Sequence, residues 1–301
     1  MAARRSFLDE AAGPAARDRG NRTMSKVWFV TGAGSGIGAG IAKAALEAGD
    51  RVVATGRNLE KVRTAYADAA LENLEFLQLD VADPVQAQAA VDAAVARFGR
   101  IDVLVNNAGY SILGKFEEMT TADLERQFAT NFYGVAHLMR AVLPVMRGQR
   151  SGHVFNISSV AGVVGMKHCS AYGASKFAVE GLSLAVADEV APFGIKVTIV
   201  EPGFFRTDFL APSNVRWASN PIDDYADQGD PKATLEYHGA QPGDPFKLGQ
   251  ALVHLAGLET PPKLFVAGSD ALAMVTPAVE ARLQAVQAHE ALSKSTDGDF
   301  R

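Results

Sequence analysis

Residues 29–50 read FVTGAGSGIGAGIAKAALEAGD, with five glycines within nine positions, Gly32 to Gly40, before an amphipathic helical pattern. A β-rich run precedes the glycines, so the stretch predicts a strand, a glycine-rich turn and a helix that ends near Gly49. Glycines let the backbone approach a pyrophosphate closely, and the free N–H groups at a helix start favour its negative charge. The stretch therefore predicts a phosphate-binding turn, and a glycine-rich turn without a ligand is the alternative at this point.

Strand-like and helix-like segments alternate along the chain after Met24. Six short β-rich runs end in turn residues, and segments of helical period, such as residues 84–99, lie between them. Because the runs are apolar on both faces, they predict a parallel sheet with helices on both sides. The expected fold class is α/β, a Rossmann-type doubly wound sheet in a single domain over residues 24–275, with ligands at the carboxyl ends of the strands.

Three segments depart from this alternation. Residues 1–23 are rich in Ala and Arg and predict a disordered N-terminal extension, with an organellar presequence as the alternative. Residues 204–245 carry five prolines among aromatic residues, and so long an insert predicts a substrate loop or lid. Residues 276–301 are expected to form a C-terminal helix and a flexible tail.

The composition is typical of a soluble globular protein, with 48% hydrophobic and 21% charged residues in 301. The net charge is −5 and the basic residues are scattered, so we expect no nucleic-acid partner. No apolar run reaches the roughly 18 residues that span a bilayer, and a cytoplasmic location is expected. Cys169 is the single cysteine and is expected to be a packing residue. The six histidines lack ligand spacing, so no metal is expected.

Several further motifs follow the glycine turn in a fixed order. The turn has the spacing T-G-x-x-x-G-x-G from Thr31 to Gly38, and Ser159 stands thirteen residues before Tyr172, which is followed four residues later by Lys176. The others are Asp80 in LDV, Asn106-Asn107-Ala108-Gly109, Asn131 in TNFYG, and Pro202-Gly203 followed by Thr207. Together they resemble the classical branch of the short-chain dehydrogenase/reductase family over residues 25–270, rather than the extended branch of epimerases and dehydratases.

The resemblance assigns catalytic roles to Asn131, Ser159, Tyr172 and Lys176. Tyr172 would exchange a proton with a carbinol oxygen; because a free phenol has a pKa of about 10, the charge of Lys176 on the same helix face is expected to favour the phenolate. Ser159 is expected to donate a hydrogen bond to the substrate oxygen, and family spacing selects it over Ser158. Asn131 is predicted inside a helix, where Asn is a mediocre helix former, and in the family it anchors a water that links Lys176 to solvent.

The residues after the second strand bear on the nicotinamide cofactor. Gly56 stands where a chain that prefers NAD would offer an acidic side chain, and Arg57 would pair with a 2′-phosphate. NADP(H) is therefore favoured over NAD(H). The alternative is that Arg57 is a solvated charge that starts the next helix. Ser35 weakens the case for NADP(H), because some NADP-preferring relatives carry a basic residue inside the glycine turn. The residues expected to bind the cofactor are Gly32, Gly34, Ser35, Gly36, Ile37, Gly38, Arg57, Asp80, Val81, Asn107, Ala108, Gly109, Tyr172, Lys176, Pro202, Gly203 and Thr207.

These residues predict an NADP(H)-dependent oxidoreductase that interconverts a ketone or aldehyde and an alcohol, with Tyr172 as general acid/base. The alternatives are an NAD-dependent alcohol dehydrogenase of the same family and a non-catalytic redox sensor that binds the dinucleotide. A mostly apolar small-molecule substrate is expected, because the aromatic segment 204–225 is predicted to line the pocket. Four more residues are expected to line it: Val163, Val164, Met166 and His168.

Two predicted helical regions, residues 123–146 and 172–191, carry apolar residues on more than one face. The resemblance implies that copies of the chain pair through these helices, so a homodimer or homotetramer is expected.

Overall fold

A computed structural model describes residues 25–298 of the chain. The predicted N-terminal extension, residues 1–23, lies outside the described residues. Nine strands are present in this range: β1 (Val27–Val30), β2 (Arg51–Gly56), β3 (Leu74–Gln78), β4 (Val103–Asn106), β5 (Ile112–Leu113), β6 (Gly152–Ile157), β7 (Ile195–Pro202), β8 (Arg216–Trp217) and β9 (Leu264–Ala267). Seven of them form one parallel sheet in the order β3-β2-β1-β4-β6-β7-β9. The predicted doubly wound parallel sheet is confirmed.

Helices cover both faces of this sheet. They are α1 (Gly36–Glu47), α2 (Leu59–Thr64), α3 (Pro84–Phe98), α4 (Thr121–Phe128), α5 (Gly134–Gln149), α6 (Ser170–Val190), α7 (Pro245–Gly257), α8 (Ser269–Ala288) and α9 (Glu290–Lys294). Successive strand residues point to opposite faces, so Val27 and Phe29 pack under α3, α5 and α6. Trp28 and Val30 pack under α1, α2 and α7 on the other side. In the described range, no helix combines the length and apolar character that a bilayer crossing needs.

The direction of winding changes between β1 and β4. The chain adds β2 and β3 on one side of β1 and then crosses to add β4, β6, β7 and β9 on the other. A crevice forms at such a switch point, at the carboxyl ends of the strands. Here the glycine-rich turn that follows Val30 lies beside the segment that follows Asn106, and the main-chain N–H of Thr31 donates to Val105 O at 3.0 Å.

The segment after β7 contains β8 and three short 3₁₀ helices, at Asp208–Leu210, Asp223–Gln228 and Pro231–Tyr237. It is joined to the body by parallel pairing of β8 with β5. Phe205, near its start, bridges Gly243, near its end. The segment is thus attached to the body by β8 and closed where its two ends meet.

The C-terminal helix α8 begins at Ser269, so the predicted boundary at residue 275 falls within a continuous helix. Its first half packs on the body through Ala271 and Val275. Every residue from Val279 to residue 298 is exposed.

Candidate active site

A cleft of about 900 Å³ opens at the carboxyl edge of the sheet, at the switch point. Its lining includes sixteen residues predicted for catalysis or cofactor binding: Gly32, Ser35, Gly36, Ile37, Arg57, Asp80, Val81, Asn107, Ala108, Gly109, Ser159, Tyr172, Lys176, Pro202, Gly203 and Thr207. Three predicted residues lie behind this lining: Gly34, Gly38 and Asn131.

The glycine-rich turn forms one end of the cleft. Gly32 and Gly36 have φ angles of +64° and +56°, in the left-handed region that favours glycine. Helix α1 starts at Gly36, and Ser35 makes no side-chain cap bond within the described residues. The first N–H groups of α1 are therefore available to an anion, and a phosphate group could accept hydrogen bonds from them.

Gly34 and Gly38 serve the turn through close packing. A Cβ on Gly38 would lie 2.5 Å from both Gly32 O and Asn107 Nδ2. One on Gly34 would lie 3.3 Å from a methyl carbon of Val62 on α2. These glycines let the first turn of α1 and the start of α2 approach the glycine-rich turn.

Two basic side chains line the cleft beyond β2. Arg57 follows the strand, and Lys61 lies four residues later on α2, whose first turn is capped by the Asn58 side chain accepting from Lys61 N at 3.0 Å. Arg57 was predicted from the sequence, whereas Lys61 was missed. No motif in the sequence singled out Lys61, because its place in the cleft follows from where α2 lies relative to the end of β2.

The ends of β1 and β4 are tied together by Thr31. Its hydroxyl accepts from Asn107 N at 2.9 Å and from Ala108 N at 3.0 Å. The Asn107 side chain donates to Thr31 O at 2.8 Å, so this amide holds the turn rather than projecting freely into the cleft. Asp80, after β3, accepts from Ala82 N at 3.0 Å, which fixes the loop beside Val81.

The end of β7 and the residues after it also line the cleft. Gly203, directly after Pro202, donates to Ala267 O at 3.0 Å. Thr207 reaches the start of α1, because a Cβ on Gly36 would lie 3.1 Å from the Thr207 methyl carbon. Thr207 therefore contacts the glycine-rich turn at the start of α1.

Ser159, Tyr172 and Lys176 meet in the middle of the cleft. Lys176 is only 5% exposed; its ammonium donates to Ile157 O at 2.7 Å and lies 5.7 Å from the centroid of the Tyr172 ring. Ser159 follows β6 and caps the next short helix, accepting from Ala161 N at 3.1 Å. The three predicted catalytic side chains are thus brought together from β6 and α6.

Burial dominates the ionisation of Tyr172 and Lys176. It raises the pKa of Tyr172 to about 12, against the opposing effect of the Ser159 hydroxyl. It lowers the pKa of Lys176 to about 8, against the opposing charge of Glu180. At neutral pH Tyr172 therefore carries a proton that it can donate, and Lys176 is close to its titration range.

Asn131 lies in a π-helical turn, Ala129–Tyr133, between α4 and α5, rather than in regular α-helix. It is 1% exposed, and its amide donates to Tyr110 O at 3.1 Å and to Ser175 Oγ at 3.2 Å. Its oxygen accepts from Tyr110 N at 3.2 Å. The wider turn presents Asn131 to the segment after β4, and π-helical turns recur at functional sites.

A second buried polar group lies behind Lys176 and was missed from sequence. A Cβ on Gly162 would lie 2.5 Å from Ser158 Oγ and 3.1 Å from Glu180 Oε1, so these two oxygens converge there. Burial raises the pKa of Glu180 to about 7; the nearby Glu201 carboxyl also raises it, while the Ser158 hydroxyl lowers it. Ser158 thus lies close to Glu180 and also belongs to the lining of the cleft.

The wall around Tyr172 is apolar and aromatic. Phe209 packs against Tyr172 with ring centroids 5.7 Å apart, and Phe204 stacks on Tyr237 at 5.0 Å. The aliphatic and sulfur-containing members are Leu113, Met166, Cys169, Leu210 and Met274. The segment after β7 contributes aromatic lining residues, as predicted, together with polar ones such as Asp208, Asn214 and Arg216.

Three of the four additional pocket residues were predicted wrongly. Val163 packs beneath α8, and Val164 and His168 are likewise outside the cleft lining, so only Met166 reaches it. His168 adopts a φ of +65° between Lys167 and Cys169, which both line the cleft although His168 does not. Cys169 packs against the cluster around Leu113, as predicted, and burial raises its pKa to about 11.

The doubly wound sheet, with a glycine-rich turn and a helix N-terminus lining the cleft at its switch point, places the chain in the class of dinucleotide-binding folds. The family profile described as short chain dehydrogenase matches residues 26–216. The chain belongs to the short-chain dehydrogenase family.

Individual relatives agree with this assignment. The chain is 39% identical over 259 residues to the oxidoreductase BOA17 of Botryotinia fuckeliana, covering 85% of this chain and 94% of that protein. It is 38% identical over 242 residues to 3-ketodihydrosphingosine reductase of Bacteroides thetaiotaomicron, covering 79% and 86%. A short-chain dehydrogenase structure from Streptomyces avermitilis superposes with a TM-score of 0.82 at 41% identity, over 91% of this chain and all of that one.

Solved structures of the same fold hold different nicotinamide cofactors. They include complexes with NADP+, NADH and NAD. A nicotinamide dinucleotide is therefore the cofactor class of these neighbours.

Proposed function

We propose that the protein is an NADP(H)-dependent oxidoreductase that interconverts a ketone or aldehyde with an alcohol. The observation that carries the proposal is that Tyr172, with Lys176 and Ser159, lies in the same cleft as the free N–H groups of α1 and the basic pair Arg57 and Lys61. This cleft accepts a dinucleotide phosphate at one end and a carbonyl group at Tyr172.

When bound, the nicotinamide supplies or accepts the hydride. In the reducing direction Tyr172 donates its phenolic proton to the carbonyl oxygen, which becomes the alcohol oxygen. Ser159 donates a hydrogen bond to the same oxygen as negative charge develops there. Lys176, held through Ile157 O, stabilises the phenolate that the departing proton leaves behind.

Cofactor choice rests on the basic end of the cleft. Arg57 and Lys61 offer two positive charges where the ribose 2′-phosphate of NADP(H) would lie, and a guanidinium pairs with a phosphate through two parallel hydrogen bonds. Gly56, just before them, offers no carboxylate to the ribose hydroxyls of NAD(H).

The substrate is proposed to be apolar. Phe209, Phe204 and Tyr237 surround the approach to Tyr172, and a carbonyl compound with an aliphatic or ring body would bury against them. The relation to a 3-ketodihydrosphingosine reductase supports a ketone with a long apolar part.

A homo-oligomer formed through α5 and α6 is also proposed. Phe177 and Leu184 lie seven residues apart on one face of α6, and they are exposed apolar side chains that a second copy would bury.

The test is a panel of small polar and long apolar ketones, assayed with NADPH and with NADH. Turnover of an apolar ketone with NADPH is expected, and Tyr172→Phe should lower kcat by roughly 10² to 10⁴ while retaining dinucleotide binding. Tyr133→Phe, the same change on an exposed ring outside the cleft lining, is the control. Wild-type kcat in the Tyr172→Phe variant would remove the proposed mechanism.

A further inference from the structure

Asp270, in the first turn of α8, places its carboxylate against the end of a neighbouring strand. Its Oδ2 accepts a hydrogen bond from Phe204 N at 2.6 Å, although Phe204 lies sixty-six residues earlier in the chain. A Cβ on Gly203 would lie 2.6 Å from Oδ1 of Asp270, and one on Gly268 would lie 2.5 Å from the same oxygen. The carboxylate therefore occupies the space that side chains at these two glycines would need, where β7 and β9 end side by side.

Phe204 is held through both of its main-chain polar groups by distant parts of the chain. Its N–H donates to Asp270, and its carbonyl oxygen accepts from Gly243 N at 3.0 Å. Phe204 is the second residue after β7, and Gly243 lies near the end of the segment that β7 leads into. Asp270 thus fixes the backbone at the point where this segment leaves the sheet.

The Phe204 side chain belongs to the apolar wall of the cleft. Its ring stacks on Tyr237 with centroids 5.0 Å apart and planes at 12°, and it packs against the cluster of Leu113, Leu210 and Val215. The directions open to a side chain depend on the backbone that carries it. A hydrogen bond that holds the Phe204 main chain therefore also limits where the ring can lie.

A carboxylate in the first turn of a helix also has a simpler use, since it stabilises the positive end of the helix dipole. That role needs only the charge, whereas Asp270 bonds to a main-chain N–H outside its own helix. The same helix reaches the site again one turn later, where Met274 lines the cleft. Ala271 packs in the same cluster as Val160, the residue after Ser159.

We propose that Asp270 is a positioning residue for the apolar wall: its carboxylate holds Phe204 in the orientation that receives the apolar part of the substrate. This inference rests on the proposed function of the cleft in binding an apolar carbonyl compound.

Substrate preference at saturating NADPH tests the proposal in the full-length protein. Asp270→Ala should lower kcat/KM for a long-chain methyl ketone about tenfold, mainly by raising KM, because a hydrogen bond to a charged group is lost. Acetone should be affected much less, since it has no chain to bury against Phe204. Asp270→Asn keeps an oxygen that can accept from Phe204 N and should retain most of the wild-type preference.

Asp102→Ala is the matched control. Asp102 makes the same kind of contact at the opposite edge of the sheet, where its carboxylate accepts from Val27 N at 2.9 Å, outside the cleft lining. Its loss should lower the thermal stability without changing the preference between the two ketones.

A double-mutant cycle shows whether the effect passes through Phe204. Phe204→Ala removes the ring but leaves the main-chain contact, and it should also lower kcat/KM for the long-chain ketone. Adding Asp270→Ala to Phe204→Ala should then lower it little further, because coupled residues act non-additively. Fully additive losses would overturn the proposal.

Hydrogen–deuterium exchange gives a readout that does not need turnover. The amides of residues 204–209 should exchange faster in Asp270→Ala than in wild type, Asp270→Asn or Asp102→Ala. Unchanged exchange there, or equal losses for both ketones, would overturn the positioning role. If Asp270→Asn matches Asp270→Ala in kinetics and exchange, Asp270 acts through its charge at the start of α8, which would also overturn it. A wild-type protein that reduces neither ketone would count against the proposed function, and the exchange comparison would still decide whether Asp270 holds Phe204.

Discussion

Glu180 lies one helical turn after Lys176 on α6, and its carboxyl raises the pKa of the lysine that the proposed chemistry uses. In return, the charge of Lys176 lowers the pKa of Glu180. Burial opposes both effects and brings the two pKa values to about 8 and about 7. The charge on Lys176 therefore depends on a carboxyl that lies behind the cleft rather than in its lining.

Glu180→Gln should move the alkaline limb of the pH profile to lower pH. Without the carboxylate, Lys176 loses its proton more readily, so its support of the Tyr172 phenolate fades sooner as the pH rises. The measurement is kcat for carbonyl reduction from pH 6 to 10 at saturating substrate and cofactor. Glu189→Gln, an exposed carboxylate on the same helix, is the control. If the alkaline limb of the kcat profile stays at the same pH and only KM changes, Glu180 contributes to the packing of the site and not to the charge of Lys176.

The same substitution should change stability in a pH-dependent way. The folded pKa of Glu180, about 7, lies above its ordinary value of 4.5, so the unfolded chain loses this proton first as the pH rises. The free energy of unfolding therefore falls between pH 4.5 and 7. Relative to wild type, Glu180→Gln should therefore gain stability between pH 4 and pH 8, by at most about 2–3 kcal/mol at 1.36 kcal/mol per pKa unit and with a discount for the partial exposure of the carboxyl. Chemical denaturation at pH 4 and pH 8 measures this, and an equal difference at both values would contradict it.

Arg57→Ala should raise the KM for NADPH about ten- to a hundredfold and leave that for NADH nearly unchanged. Only NADPH carries the 2′-phosphate, and a charge-assisted hydrogen bond contributes roughly 1.5–3 kcal/mol. Lys61→Ala should act in the same direction but less strongly, because an ammonium lacks the bidentate geometry. Steady-state kinetics with both cofactors measure this. Arg63→Ala is the control, since Arg63 lies on the same short helix but pairs with Glu60 outside the cleft lining. Equal loss of both cofactors in Arg57→Ala would mean that Arg57 supports the turn.

The resemblance to the family supplied Ser159, Tyr172 and Lys176, whereas the glycine spacing and the strand endings were sufficient to predict the sheet and the turn. They act through local backbone geometry and short sequence distances, which a sequence displays. The raised pKa of Glu180 was not predictable from the sequence, because it depends on burial and on the nearby Glu201 carboxyl. Glu201 lies on β7, twenty-one residues further along the chain, and only the fold brings it near Glu180 on α6. The π-helical turn at Asn131 likewise depends on hydrogen bonds to Tyr110, a tertiary contact.

Packing also limits a substitution that the sequence alone suggests. An acidic residue at Gly56 would give the ribose hydroxyls of NAD(H) a partner. A Cβ at Gly56, however, would lie 2.8 Å from a methyl carbon of Val62. The sequence does not show this contact, because it arises from the way α2 folds back over the end of β2.

Gly38→Ala should destabilise the protein, although alanine has a higher helix propensity than glycine. Gly38 lies inside α1, where alanine is ordinarily favoured by roughly 0.5–1 kcal/mol. Its new methyl group would lie 2.5 Å from Gly32 O and from the Asn107 amide nitrogen, and the backbone oxygen belongs to the turn itself. Overpacking of this kind costs typically about 1–3 kcal/mol. Because the turn must shift, the affinity for the dinucleotide should fall as well.

Gly148→Ala is the matched control for this substitution. Gly148 lies near the end of α5, is exposed, and has no described atom within 4 Å of the place that a methyl group would take, beyond its own local backbone. Alanine there should raise stability slightly, so the same chemical change is expected to have opposite signs at the two sites. Thermal melting and calorimetric titration with NADPH measure both effects. A Gly38→Ala protein that matches Gly148→Ala in stability and cofactor affinity would show that the turn does not need the close approach of α1.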